Sequence, residues 1–390
     1  MDLILGILLG ILVLTFLVAA HEFGHGFIAR RNGVKVEEFA IGFPPKITSK
    51  VVPKSPLGNN VEYSVNALPI GGFVRLKGEH DSAEDEGSYG AATFWQKTKI
   101  LLAGVAVNWI IAAVLLTVLA WTGLPKMATV LPNQFTVPSD TQIENKPVQI
   151  SAIAPGTPAD KAGLQVGDTL VRFNGQKIGA ADDFARVVQQ DAGKTVSIIY
   201  SRNNKENTIT LTLRAANTNG EGYLGAALSQ QQYIHATWSA PIVGVVTTAQ
   251  LTVATVQGVG ATIAKAAQGF AGQFSTSHQA RSAASKDLSE AGQNVAGPIG
   301  IFGVIFPAAE KAGLTQIVLL TALISLTLAV MNVLPIPGLD GARWYLTAVF
   351  KALKRPLTED LEAKINGVGM YIIFGLIILV SIADIGKIRW

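Results

Sequence analysis

Four uncharged apolar runs limit what this chain can become. Leu3–Ala20, Leu101–Leu124, Gly313–Leu339 and Ile365–Ala383 contain no Asp, Glu, Lys or Arg. A helix needs about 20 apolar residues to cross a hydrocarbon layer roughly 30 Å thick. Each run is read as a transmembrane helix, the third interrupted near its end by Pro335 and Pro337. The first run has no basic segment before it and no clear cleavage site, so it reads as a retained helix rather than a signal peptide. Only 15% of residues are charged, against about 25% in soluble proteins, which agrees with a polytopic α-helical membrane protein.

Basic residues orient the runs. Arg30, Arg31, Lys35, Lys46, Lys50, Lys54, Arg75, Lys77, Lys97 and Lys99 lie between the first two, and Arg343, Lys351, Lys354, Arg355 and Lys364 between the last two. Both connections are therefore expected in the cytoplasm, with both termini and the central region outside. Lys387 and Arg389 count the other way but are outnumbered. The net charge of +4 is modest, and the placement of Lys and Arg beside apolar runs speaks for membrane orientation and against nucleic acid as a partner. The chain has no cysteine, which excludes disulfides and thiolate metal sites.

The expected division is 1–124, a first membrane domain; 125–230, an external α+β module; 231–312, external interfacial helices and a linker; and 313–390, a second membrane domain. Within the module, Val148–Ile153, Thr169–Phe173, Thr195–Tyr200 and Thr208–Leu213 read as strands and Ala181–Gln190 as a helix. The stretch 237–273 carries a polar residue every few positions and Lys265, so it reads as an interfacial helix rather than a span. Ser275–Gln293 reads as a polar linker.

His21-Glu22-Phe23-Gly24-His25 stands at the end of the first run. On a helix, positions i and i+4 share a face, so both imidazoles can reach one metal ion. Glu22, next to the first ligand, is placed to act as general base on a metal-activated water, whose pKa zinc brings down to roughly 7. Ionisable groups against an apolar run are costly and usually functional. A catalytic zinc needs a third protein ligand and an open position. No Glu or His follows at short helical spacing, and His80, His235 and His278 lie in polar or external segments. Asp340 is the better candidate: in Asn332-Val-Leu-Pro-Ile-Pro-Gly-Leu-Asp-Gly341 it follows two prolines that break the third run. Backbone broken in this way is tolerated where it lines a polar cavity.

With HEFGH in the first run, Pro69-Ile-Gly-Gly-Phe-Val-Arg-Leu-Lys-Gly78, Gly297-Pro-Ile-Gly-Ile301 and NVLPIPGLDG, nearly the whole chain resembles the site-2 protease family of intramembrane zinc metalloproteases. It is most similar to the bacterial regulator of sigma-E protease type, which cleaves anti-sigma factors in the membrane. The resemblance implies Zn2+ held by His21, His25 and Asp340, with Glu22 as base and Asn332 in substrate handling. It makes the stretch around Gly71, Gly72 and Phe73 a membrane-re-entrant β-hairpin that presents an edge strand beside the zinc, able to hold substrate extended. Ala154–Asp168 and Asn174-Gly175 resemble a circularly permuted PDZ domain, and Tyr223-Leu224-Gly225-Ala226 its carboxylate-capturing loop. One such module is found where the best-known member has two in tandem. It can serve as a peptide receptor or as a steric filter.

The implied partners are single-span membrane proteins of the anti-sigma type, an upstream site-1 protease acting on the same substrate, and the membrane lipid of the bacterial inner membrane. Remnant signal peptides are a second substrate class. A PDZ scaffold with a vestigial metal site would have no need of Glu22. A metal transporter would want polar groups along several spans rather than at two helix ends.

Overall fold

The structure is a computed structural model that describes residues 2–217, 220–293 and 295–387; Arg389 lies outside the described residues. Contacts divide the chain into two compact units, one of residues 1–119, 129–135 and 241–390, the other of 120–128 and 136–240.

In the first unit, α1 (Asp2–Arg31) is one unbroken helix, with no Pro inside it and a stop at Asn32-Gly33. Gly33 takes φ +84°, the left-handed conformation that closes a helix C-terminus. The chain then forms β1 (Val36–Ser55) and β2 (Gly58–Leu76). Both strands bend, so the first part of β1 pairs on both sides: Phe39 faces Val74 and Tyr63, and Ile41 faces Gly72 and Val65. Gly72–Leu76 therefore forms a sheet edge.

This corrects the expected layout of the hairpin. Its turn is Pro56-Leu57, and Leu68–Lys77 supplies only the outer half of β2. Gly71 and Gly72 serve close approach instead. A Cβ on Gly72 would stand 2.6 Å from the carbonyl oxygen of Ala40, and Gly71, at φ +95°, faces the Phe43 ring.

Helix α2 (Phe94–Thr122) follows and packs closely on α1, where a Cβ on Gly24 would meet Val107 at 2.9 Å.

The second unit contains β3 (Leu124–Pro125), β4 (Gln142–Asn145), β5 (Gln149–Ile153), α3 (Pro158–Lys161), β6 (Thr169–Phe173), β7 (Gln176–Lys177), α4 (Ala181–Gln190), β8 (Thr195–Arg202), β9 (Lys205–Thr212), β10 (Ala226–Ser229) and β11 (Gln232–His235). The main sheet runs β10-β5-β6-β8-β9, with β7 on β6, and β3-β11-β4 forms a second sheet. Ile150, Leu170, Phe173, Phe184, Ile198 and Leu224 form its core. β5, β6, β8, β9 and α4 fall, within a few residues, where alternation and turn residues placed them, whereas β3, β4, β7, β10 and β11 were not among the expected strands.

The first unit resumes with α5 (Ala240–Gln273), α6 (His278–Gln293), α7 (Pro298–Gly300), a π-helical turn (Ile301–Ile305), α8 (Phe306–Ala312), α9 (Leu314–Met331), α10 (Asp340–Ala352) and α11 (Glu359–Lys387). Among the described residues five helices, not four, are long and apolar enough to cross a membrane, α5 being the addition. Its polar residues are partly used against α2: the Trp109 indole donates to Thr252 Oγ1 at 3.1 Å, and Gly244 lies against Thr117. The expected linker is helical as well, because α6 folds back on α5 through Lys265–Glu290 and the close packing of Gly269 on Leu288. From Phe302 to Pro307 the chain runs antiparallel to α1, over Gly10 and then Gly6. α9 then delivers Asp340 to the His21 end of α1. The apolar residues left exposed on α1 (Leu5, Leu8, Leu12) and α11 (Ile372, Phe374, Ile378) form faces suited to lipid.

Candidate active site

Helix periodicity sets the first half of the site. His21 and His25, one turn apart on α1, are both buried, with ring centroids 4.6 Å apart. The second half arrives from far along the chain. Pro335 and Pro337 end α9, and Asp340 opens α10 as its first residue. Its Oδ2 lies 2.9 Å from His21 Nε2 and 3.1 Å from His25 Nε2. Two imidazole nitrogens and a carboxylate oxygen thus meet at one point. Glu22 also offers an oxygen within 4.8 Å of the two histidine nitrogens.

Three residues that sequence reasoning did not single out complete the setting. Gly104 of α2 covers the two rings: a Cβ there would stand 2.5 Å from His25 Nε2 and 2.6 Å from His21 Nε2. Asn108, one turn further, places its carboxamide 3.3 Å from His21 Nδ1. Val74, on the outer edge of β2, donates its amide to Glu22 Oε2 at 3.1 Å. One signal was available: Asn108 is a lone carboxamide in the apolar run Leu101–Leu124, and buried polar groups at such depth are seldom idle. A glycine in a helix and an amide of a strand give no comparable signal.

His25 Nδ1 lies 2.7 Å from the carbonyl oxygen of Ile100, which can only accept. Nδ1 of His25 therefore carries a proton, and Nε2 is the nitrogen that faces Asp340.

Asn332 stands at the C-terminus of α9, where its amide donates to the Leu328 carbonyl at 3.0 Å. Gly72 and Phe73 lie in the edge segment of β2, paired with Ile41 and Ala40. In the second unit, Leu224 is buried in the core, while Gly225 has φ +78° and packs on Thr157. Their carbonyls accept from Ala159 and Ala154.

The sequence model of peptidase family M50 matches residues 9–376. The chain belongs to peptidase family M50. It is 28% identical over 384 residues to a provisionally named zinc metalloprotease of Clostridium perfringens, covering 97% of this chain and 98% of that one. It is 25% identical over 459 residues to the regulator of sigma-W protease RasP of Bacillus subtilis, covering 97% of each. The PDZ domain of an SdrC-like protein of Listeria innocua, a solved structure, is 26% identical over 21% of this chain and 93% of its own length, with a TM-score of 0.19.

As a member of M50, the chain is a zinc metalloprotease and a multi-pass membrane protein. The convergent donors suit that metal. Nitrogen and carboxylate oxygen are ordinary zinc ligands, and three protein ligands with one open position is the catalytic arrangement. Gly104 supports the fit independently, since any larger residue would fill the space in front of the two Nε2 atoms.

Proposed function

We propose that this M50 peptidase is an intramembrane endopeptidase in which His21, His25 and Asp340 hold one zinc and Glu22 is the general base. The observation that carries this reading is the convergence of His21 Nε2 and His25 Nε2 on Asp340 Oδ2, at 2.9 and 3.1 Å, across 319 and 315 residues of chain. When bound, zinc supplies Lewis acidity, polarising the scissile carbonyl and making water nucleophilic at neutral pH. Glu22 takes a proton from the attacking water on a carboxylate oxygen. It then delivers that proton to the leaving nitrogen as the C–N bond breaks.

The edge of β2 prepares the substrate. A transmembrane helix hides its backbone in internal hydrogen bonds, and pairing with a free strand edge exchanges those bonds for ladder bonds in extended form. Gly72, Phe73 and Val74 form that edge beside Glu22.

The substrates are single-span membrane proteins. The name of the Bacillus subtilis relative and the resemblance noted above favour anti-sigma regulators already cut by a site-1 protease. Remnant signal peptides are a further class. The basic connections favour an active site near the cytoplasmic face of the inner membrane and a PDZ-like module outside, acting on entry as a size filter rather than on the scissile bond. Asn332 assists substrate handling, and in the alternative receptor role the Leu224–Gly225 loop is the module's contact for peptide.

Reconstituted protein tests the reading. Zinc-dependent cleavage of a single-span substrate is expected, and its absence in the presence of bound zinc would count against it.

A further inference from the structure

We infer that Asn108 is the residue that fixes the tautomer and orientation of His21, accepting the Nδ1 proton through its side-chain oxygen so that Nε2 is held ready for zinc. The inference rests on the metal reading above and extends it to a residue on a different helix.

The argument starts from the imidazole. A neutral histidine carries one proton, and a ring that coordinates through Nε2 must carry it on Nδ1. His25 meets this condition through the Ile100 carbonyl, 2.7 Å from its Nδ1. His21 is ligated through the same nitrogen, since its Nε2 is the atom beside Asp340. Its Nδ1 faces the carboxamide of Asn108 at 3.3 Å, and Asn108 is fully buried, so bulk water does not compete for the bond.

The carboxamide lies with its nitrogen towards His21. Two donors cannot share one hydrogen bond, so zinc ligation requires Oδ1 to face the ring. A half-turn of the amide achieves this, and oxygen and nitrogen are exchangeable by that rotation. Oδ1 has no hydrogen-bond partner in its present position among the described residues, so the rotation breaks no other bond. The position of Asn108 is itself held: its backbone carbonyl accepts from Ser325 Oγ at 2.8 Å. Ser325 belongs to α9, the helix that leads to Asp340. One residue therefore ties the histidine helix, α2 and α9 together at the depth of the metal.

Groups that hydrogen-bond the second nitrogen of a metal-bound histidine typically change metal affinity by roughly 10–100-fold when removed. The test is zinc affinity by chelator competition on full-length protein in detergent, for wild type, Asn108→Leu and Asn108→Asp. Leu keeps the volume without an acceptor, whereas Asp restores one. We expect Leu to weaken zinc by roughly 10–100-fold and Asp to stay within a few-fold of wild type. Equal affinity for Leu and wild type overturns the inference, as does an Asp variant as weak as Leu. Thermal melts of the chelator-stripped proteins separate folding from binding: weak zinc binding by Leu with an unchanged metal-free melt supports the role, and a lowered melt with unchanged zinc affinity refutes it. Failure of wild type to bind zinc, by contrast, would defeat the metal reading and not this extension of it.

Discussion

Glu22 on α1 accepts a hydrogen bond from the backbone amide of Val74 at 3.1 Å, which ties the carboxylate of the HEFGH motif to the free edge of β2. The base and the surface proposed to extend the substrate are therefore set against each other before any substrate arrives.

Glu22→Gln is expected to abolish turnover, with a loss of roughly 10²–10⁴-fold or more in kcat, while zinc content stays near that of the wild type. An amide still accepts from Val74, so the edge of β2 keeps its place. Loss of zinc in this variant would make Glu22 a ligand or a structural residue. Metal analysis beside a cleavage assay decides the matter.

Asp340→Asn should lose most activity and bind zinc less tightly, because a neutral amide is a much poorer ligand than a carboxylate. Purified wild type should hold about one zinc per chain, and stripping it with a chelator should stop cleavage until zinc is restored. Full activity of the Asn variant would remove Asp340 from the ligand set.

Gly104→Ala distinguishes metal geometry from helix stability. By intrinsic propensity, Ala should stabilise α2 by about 1 kcal/mol. Its Cβ would however stand 2.5 Å from His25 Nε2, so zinc affinity and activity should both fall. Retained zinc binding would show that α1 and α2 can move apart at no cost.

The PDZ-like module should be acid-sensitive through Asp168. Burial opposes the charge of Asp168, but the Arg202 guanidinium, at 2.7 Å, and the Gln165 amide outweigh it and hold the carboxyl below its ordinary range. With the folded pKa below the unfolded value of about 3.9, the pair contributes fully above that pH. Its contribution is lost as pH falls towards the folded value. Asp168→Asn should destabilise the module by about 2 kcal/mol at neutral pH. Hydrogen exchange of residues 147–228 at pH 7 and pH 3 measures both effects.

Removing residues 147–228 separates the two roles open to the module. A size filter predicts that substrates with intact external domains become cleavable, whereas a receptor predicts slower cleavage of trimmed ones. Cleavage of both forms at unchanged rates would defeat both roles.

The sequence by itself determined the helices with uniform apolar character, four strands and the helix of the module, and the histidine pair. Each of these follows from a period of 3.6 or 2, or from a run long enough to span lipid, and needs no partner elsewhere in the chain. It also pointed to Asp340, because two prolines beside a carboxylate at a helix end mark a break that lipid cannot accommodate. Only the tertiary structure decided the rest. Residues 237–293 looked interfacial and linker-like because their polar side chains were weighed against water and lipid; in the fold Thr252 meets Trp109, and Lys265 meets Glu290. Gly71 and Gly72 were expected in a hairpin of their own, yet their use is a close approach to Phe43 and Ala40 that no local pattern reveals. Gly104, Asn108 and Val74 act on α1 from other elements, the last two through contacts of 3.3 and 3.1 Å and the first through the space a missing side chain leaves. Such relationships arise when distant segments pack, and residue spacing along the chain does not contain them.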